Sequence, residues 1–118
     1  MSDFAPYAQN LRFEDILYSK AEGVATVTLN RPDFYNAYST RTLKELILAF
    51  QDASWDDSVV VIVYTGSGTR AFSTGGDVKE YSEKYTQKPR EYWKYMGLFR
   101  AYLESIMHAG KPVIARLN

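Results

Sequence analysis

The stretch Tyr64 to Asp77, YTGSGTRAFSTGGD, gathers the residue types that could do chemistry. A run of apolar residues leads into the loop Thr65 to Gly76, which carries four glycines, and a helix start follows. Without a Cβ, Gly75 and Gly76 can adopt unusual backbone angles and let a ligand approach their N–H groups, while a helix N-terminus adds partial positive charge. An anion or a developing oxyanion fits that description. Composition alone leaves a second reading open, a surface turn that needs its glycines only for shape. Gly66-Ser67-Gly68 has neither the Gly-Lys-Ser/Thr ending of a P-loop nor the G-x-G-x-x-G spacing, which argues against nucleotide phosphates. Asp77 stands beside the helix start, where capping backbone N–H groups suits it better than acting as a general base. The chain has no cysteine and one histidine, His108, so thiol catalysis is excluded and no metal site is expected. His108 falls at the end of a helix, and favourable dipole placement accounts for it without a catalytic role.

Such a loop has to be held by regular elements, and the flanking sequence supplies them. Phe13 to Ser19 and Val24 to Leu29 read as two strands around the turn Ala21-Glu22-Gly23, the second alternating Ala25, Val27, Leu29 with Thr26 and Thr28. Pro32 breaks that strand. A helix is expected from Ser39 or Thr42, with Thr42 and Glu45 spaced as a capping box and Leu43, Leu46, Ile47 and Phe50 as its apolar stripe. The run Val59 to Tyr64 has no polar interruption, the mark of a central, parallel strand covered on both faces. Val78 to Tyr85 reads as a short helix. A long amphipathic helix follows, opened by Pro89, carrying Tyr92, Tyr95, Phe99, Tyr102 and Ile106 on one side and stopped by Gly110. Val113 to Leu117 is expected as another buried strand. The order is that of an α/β fold, with residues 1–12 as an N-terminal arm and 13–118 as one unit. In open α/β sheets ligands gather beyond the carboxyl ends of the strands, so residues following Asn118 are expected to complete both the sheet and any site, and the chain reads as part of a larger domain.

At 118 residues, 46% apolar and 24% charged, the chain is suited to an ordinary globular core rather than to disorder. Fourteen basic residues balance fourteen acidic ones, which leaves no broad positive field for nucleic acid or an anionic membrane. The N-terminus lacks a basic segment followed by an apolar run, no stretch approaches the roughly 20 apolar residues of a membrane span, and a cytoplasmic location is the default expectation.

Two motifs in order and at fitting separation carry a resemblance. Asn30-Arg31-Pro32-Asp33-Phe34-Tyr35-Asn36-Ala37 resembles an N-R-P-x-x-x-N-A turn, and Arg70-Ala71-Phe72-Ser73-Thr74-Gly75-Gly76-Asp77-Val78 resembles an A-F-x-x-G-x-D loop. Both belong to the crotonase (enoyl-CoA hydratase/isomerase) superfamily of acyl-CoA enzymes, and Lys111-Pro112-Val113-Ile114-Ala115 is similar to its K-P-x-I-A strand. The resemblance spans Phe13 to Asn118. It implies a crotonase-type α/β fold, the ββα spiral, represented by the N-terminal half of the domain. It implies that Gly76, just before the aspartate, donates its backbone N–H to a thioester oxygen. Thr74, Gly75, Phe72, Asp77 and Val78 would then line the thioester and pantetheine region, and Asp33, Phe34, Tyr35 and Ala37 would lie toward the adenine end of coenzyme A. Asp33 departs from the pattern, since relatives often place a lysine there to meet a phosphate; Arg31 and Arg70 are the cations available to compensate. The resemblance further implies no permanently bound cofactor, coenzyme A entering as part of the substrate, and assembly as trimers or hexamers. The second oxyanion donor and the catalytic acids are expected beyond Asn118, so this chain alone is not expected to catalyse.

Within the superfamily, Lys79-Glu80-Tyr81, Glu83, Tyr85, Pro89, Glu91-Tyr92, Tyr95-Met96 and Leu98-Phe99 resemble the ring-opening hydrolases of alicyclic acyl-CoAs from anaerobic aromatic degradation. That implies water addition to a ring enone conjugated with the thioester, then hydrolytic cleavage of the ring. An ordinary enoyl-CoA hydratase or isomerase, and a non-catalytic CoA-binding assembly module, are the alternatives. Seven aromatic residues lie between Tyr81 and Tyr102, which suits a flat or cyclic acyl group. At helical spacing, however, Tyr92, Tyr95 and Phe99 fit a core or subunit interface better. Tyr81 and Tyr85, closest to the loop, are the pocket candidates, and Tyr81 is the candidate catalytic side chain beside Gly76.

Overall fold

The computed structural model describes residues 12–118; the expected N-terminal arm therefore lies almost wholly outside the described residues. β1 (Ile16–Ala21) and β2 (Val24–Leu29) pair antiparallel across a two-residue turn, in which Glu22 and Gly23 both hold positive φ (53° and 82°). Turns with two positive φ values match the right-handed twist of the flanking strands, and glycine takes the second place without strain. β3 (Val61–Gly66) runs parallel to β2, and β4 (Val113–Arg116) runs parallel to β3, giving one sheet in the order β1-β2-β3-β4. The crossover from β2 to β3 contains α1 (Thr40–Trp55). That from β3 to β4 contains α2 (Val78–Glu80), a π-helical turn Tyr81–Tyr85 and α3 (Pro89–Met107). The mixed α/β architecture with parallel crossovers is the expected one.

One face of the sheet and the inner face of α1 make the core. Ala25, Val27, Leu29 and Ile62 from the strands meet Leu43, Leu46 and Phe50 from α1, all essentially inaccessible to solvent. Burying each large apolar side chain of this set contributes roughly 1.5–3 kcal/mol. Lys111 fastens the end of α1: its ammonium donates to the carbonyls of Ala53 (2.7 Å) and Asp56 (2.5 Å), acceptors left over by the last helical turn.

Four local expectations change. The capping box uses Ser39 and Thr42, not Thr42 and Glu45. Glu45 instead accepts from the backbone N–H groups of Glu14 and Asp15, and with those donors engaged β1 begins at Ile16 rather than Phe13. β4 is not buried. It lies at the sheet edge, with Ile114 53% exposed, because no described strand pairs on its outer side. The apolar stripe of α3 is likewise only partly covered, Tyr95 and Tyr102 being buried while Tyr92 and Met107 are 48% and 75% exposed.

Candidate active site

The two sequence motifs meet in space, and Asn36 is the clamp between them. It is 1% exposed and sits at φ 56°, a left-handed conformation that asparagine tolerates better than most residues. Its Oδ1 accepts from the Arg31 N–H (2.9 Å), and its Nδ2 donates to the carbonyls of Ser67 (3.0 Å) and Ala71 (2.9 Å). Gly66 makes the close approach possible, since a Cβ there would stand 2.5 Å from the Phe72 carbonyl oxygen and 2.8 Å from Asn36 Nδ2. Arg31 adds a second tie. Its guanidinium donates to the Ala37 carbonyl (2.6 Å) and meets the Asp77 carboxylate (3.2 Å). Asp77 also accepts from the Glu80 N–H at the start of α2.

The segment Thr74 to Asp77 lies along Tyr35 to Tyr38 as a short parallel pairing. Thr74 N–H donates to Tyr35 O, Tyr38 N–H to Gly75 O, and Asp77 N–H to Tyr38 O, with Gly76 opposite Tyr38. In a parallel pairing one residue directs its N–H and C=O toward its partner strand, while the residue opposite directs its own away. Tyr38 is the first kind and Gly76 the second. Gly75 holds φ 100° and gives its N–H to Ser73 Oγ (3.2 Å), and Ser73 Oγ in turn donates to Asn36 O. Thus the N–H groups on either side of Gly76 are committed to the scaffold. Among the described residues, nothing accepts from the Gly76 N–H.

Tyr81 closes over the same residue. A Cβ on Gly76 would lie 2.6 Å from the Tyr81 hydroxyl and 2.8 Å from its ring. The Tyr81 hydroxyl is bonded to that of Tyr95 (2.8 Å), their rings meeting edge to face, and Tyr85 stacks against Tyr95 at 4.8 Å. The π-helical turn, closed by Thr86 N–H to Tyr81 O, sets Tyr81 and Tyr85 on one side, and single π turns gather at functional sites. Tyr81, Tyr85, Thr86, Pro89 and Tyr92 surround a largely apolar cavity of about 590 Å³.

Asp33, Phe34 and Tyr35 form an exposed turn, of which Asp33 and Tyr35 border with Ser67 to Ala71 a smaller cavity of about 240 Å³. Arg31 lies over the Phe34 ring but is engaged by Ala37 and Asp77, so Arg70, exposed over the Tyr35 ring, is the cation left to this cavity. Ala37 serves through its carbonyl, Phe72 packs on Tyr64, and Val78 is 76% exposed at the first turn of α2. Of the aromatic residues read as core or interface, Tyr95 is 3% exposed and Phe99 partly buried, while Tyr92 faces the larger cavity. Sequence reasoning missed Tyr38 as the backbone partner of Gly76 and Tyr95 as the partner of Tyr81. No spacing rule signals either. No group of three or more metal-ligating side chains occurs among the described residues, and no helix there is long and apolar enough to cross a membrane.

Residues 19–118 match the enoyl-CoA hydratase/isomerase family, and the chain belongs to that family, the crotonases. It is 48% identical over 94 residues to a 6-oxocyclohex-1-ene-1-carbonyl-CoA hydrolase of Syntrophus aciditrophicus (strain SB), covering 80% of this chain and 25% of that protein. A protein of the same name from Geobacter metallireducens is 47% identical over 102 residues, covering 85% and 27%. The fold superposes on an enoyl-CoA hydratase/carnithine racemase from Magnetospirillum magneticum with a TM-score of 0.84 at 32% identity, covering 90% of this chain and 39% of that one. The chain spans about a quarter of the length of these curated relatives. Its α/β structure is a part of the crotonase domain.

Proposed function

We propose that this chain supplies one half of an acyl-CoA site, in which the Gly76 N–H stabilises negative charge on a thioester oxygen. The observation that carries the reading is the uncommitted Gly76 N–H, held between the bonded N–H groups of Gly75 and Asp77. A preorganised donor of this kind contributes roughly 3–4 kcal/mol at an oxygen that gains charge in the transition state. The second donor and the acid–base groups come from the remainder of the domain, and coenzyme A is bound as part of the substrate through the turn at Asp33 to Tyr35 and the loop Phe72 to Val78.

The acyl group is an alicyclic oxo-enoyl thioester, as the names of the Syntrophus and Geobacter relatives suggest. Water adds to the ring double bond conjugated with the thioester. A second water attacks the ring ketone, the C–C bond to the thioester α-carbon breaks, and its electron pair enters an enolate that is then protonated. Both steps place charge on the same thioester oxygen, so one donor set serves both. The cavity walled by Tyr81, Tyr85 and Tyr92 supports a flat ring better than a flexible chain. The protein works in the cytoplasm as a trimer or hexamer.

The test compares turnover of a cyclic oxo-enoyl-CoA with that of crotonyl-CoA by the full-length protein. Ring opening at a much higher kcat/KM is expected. A preference for crotonyl-CoA would identify an ordinary hydratase, and tight binding with no turnover of either would identify a CoA-binding module.

A further inference from the structure

Tyr95 lies in the interior at 3% exposure, and among the described residues its hydroxyl has one partner, Tyr81 Oη at 2.8 Å. A buried hydroxyl proton left without an acceptor is costly, so the Tyr95 O–H donates to Tyr81 and not the reverse. Burial, and then this bond, push the Tyr95 hydroxyl well above the usual phenol range, which keeps the proton in place. Tyr81, only half-buried, therefore has its own O–H free to donate elsewhere. Its oxygen stands 2.6 Å from the position of a Cβ on Gly76, and with an N–Cβ separation on the order of 2.5 Å it lies no more than about 5 Å from the Gly76 nitrogen. One ligand oxygen about 2.9 Å from an N–H donor and about 2.7 Å from an O–H donor can bridge such a gap.

We propose that the Tyr81 hydroxyl is a side-chain donor to the same thioester oxygen as the Gly76 N–H, with Tyr95 as the positioning residue that orients it. This rests on the reading of Gly76 given above and adds to it a donor from within this chain. The edge-to-face ring contact at 5.1 Å fixes Tyr81 against Tyr95, and the π turn brings Tyr81 over the glycine that leaves room for it. Cooperative polarisation through a chain of two hydroxyls strengthens the outer one as a donor.

The probe is acetoacetyl-CoA, whose enolate absorbs in the near ultraviolet, titrated with pH while bound to the full-length protein. Butyryl-CoA, which does not form an enolate in this range, measures ground-state binding alongside. Tyr81→Phe is expected to lower the enolate constant of the bound probe about tenfold and Tyr95→Phe about threefold, with butyryl-CoA affinity unchanged within twofold. Tyr64→Phe, which deletes a similar phenol pair with Tyr102 elsewhere in the core, is expected to leave the titration unchanged. Circular dichroism confirms folding, and if Tyr81→Phe does not fold, Tyr95→Phe reads the same coupling. Wild-type titrations for Tyr81→Phe and Tyr95→Phe, with Gly76→Pro still abolishing the enolate, would overturn this inference and leave Gly76 standing. Equal losses for enolate and butyryl-CoA would reduce both tyrosines to packing. No enolate in the unmodified protein would overturn the reading of Gly76 as well.

Discussion

The guanidinium of Arg31 meets the carboxylate of Asp77 at 3.2 Å across 46 residues of sequence, joining the turn after β2 to the glycine-rich loop after β3. Both side chains are mostly buried (16% and 19% exposed), and Asp77 also caps α2. Asp77→Ala is expected to cost about 1–3 kcal/mol in chemical denaturation, because cap and ion pair go together. A double-mutant cycle with Arg31→Ala should return a coupling of about 1 kcal/mol; a value near zero would show that the two motifs are not tied here.

Asn36 is the stronger tie. Asn36→Ala removes three hydrogen bonds, leaves the carbonyls of Ser67 and Ala71 only the longer bonds from Asn118 Nδ2 (3.4 and 3.2 Å) and places alanine at φ 56°. A loss of roughly 3 kcal/mol is expected. Asn36→Gly, which relieves the backbone but not the bonds, should recover only about 1 kcal/mol of it. Complete recovery by glycine would mean that conformation, not clamping, is why asparagine stands there.

These ties explain which parts of the molecule were legible in the sequence. The alternation in Val24 to Leu29 and the i, i+3, i+4 stripe of α1 each report burial directly, and strands and helices follow from burial; the apolar run before Tyr64 marks a strand but not one covered on both faces, since Val60 is 66% exposed and Val61 and Val63 are partly buried. Gly76 was legible because a motif places it before Asp77. Tyr38 and Tyr95 were not, since what they do depends on a backbone pairing and a hydroxyl contact formed only after folding, and a tyrosine at helical spacing looks the same whether it fills space or orients a neighbour. Glu45 misled for a related reason. Its spacing from Thr42 fits a cap, but Ser39 is one turn earlier and the N–H groups of Glu14 and Asp15 compete for its carboxylate.

Acid should loosen both ends of α1, where Asp15 and Asp56 make their contacts. Burial by itself would raise Asp15, but hydrogen bonds from Arg41, Thr42 and Ser39 outweigh it and hold Asp15 below the usual carboxylate range. The Lys20 ammonium, then Ser58, draw Asp56 down to about 2. Folded values below the unfolded ones mean that both groups stabilise the fold above about pH 4, and that this contribution is lost as pH falls toward about 2. Unfolding free energy is expected to decline over that window, and Asp15→Asn with Asp56→Asn should be less stable at pH 6 with a shallower decline. An unaltered slope in the double variant would assign the acid sensitivity elsewhere.

The central claim is that the Gly76 N–H, and not merely the shape of its loop, acts on the thioester oxygen. Gly76→Pro deletes the donor, while Gly76→Ala keeps it and displaces the Tyr81 ring. The decisive measurement is kcat for both variants in the full-length protein with a cyclic oxo-enoyl-CoA. A fall of at least about a hundredfold for proline, clearly beyond the roughly tenfold loss that displacing Tyr81 brings to the alanine variant, is the predicted result. A near-normal rate for Gly76→Pro would contradict it.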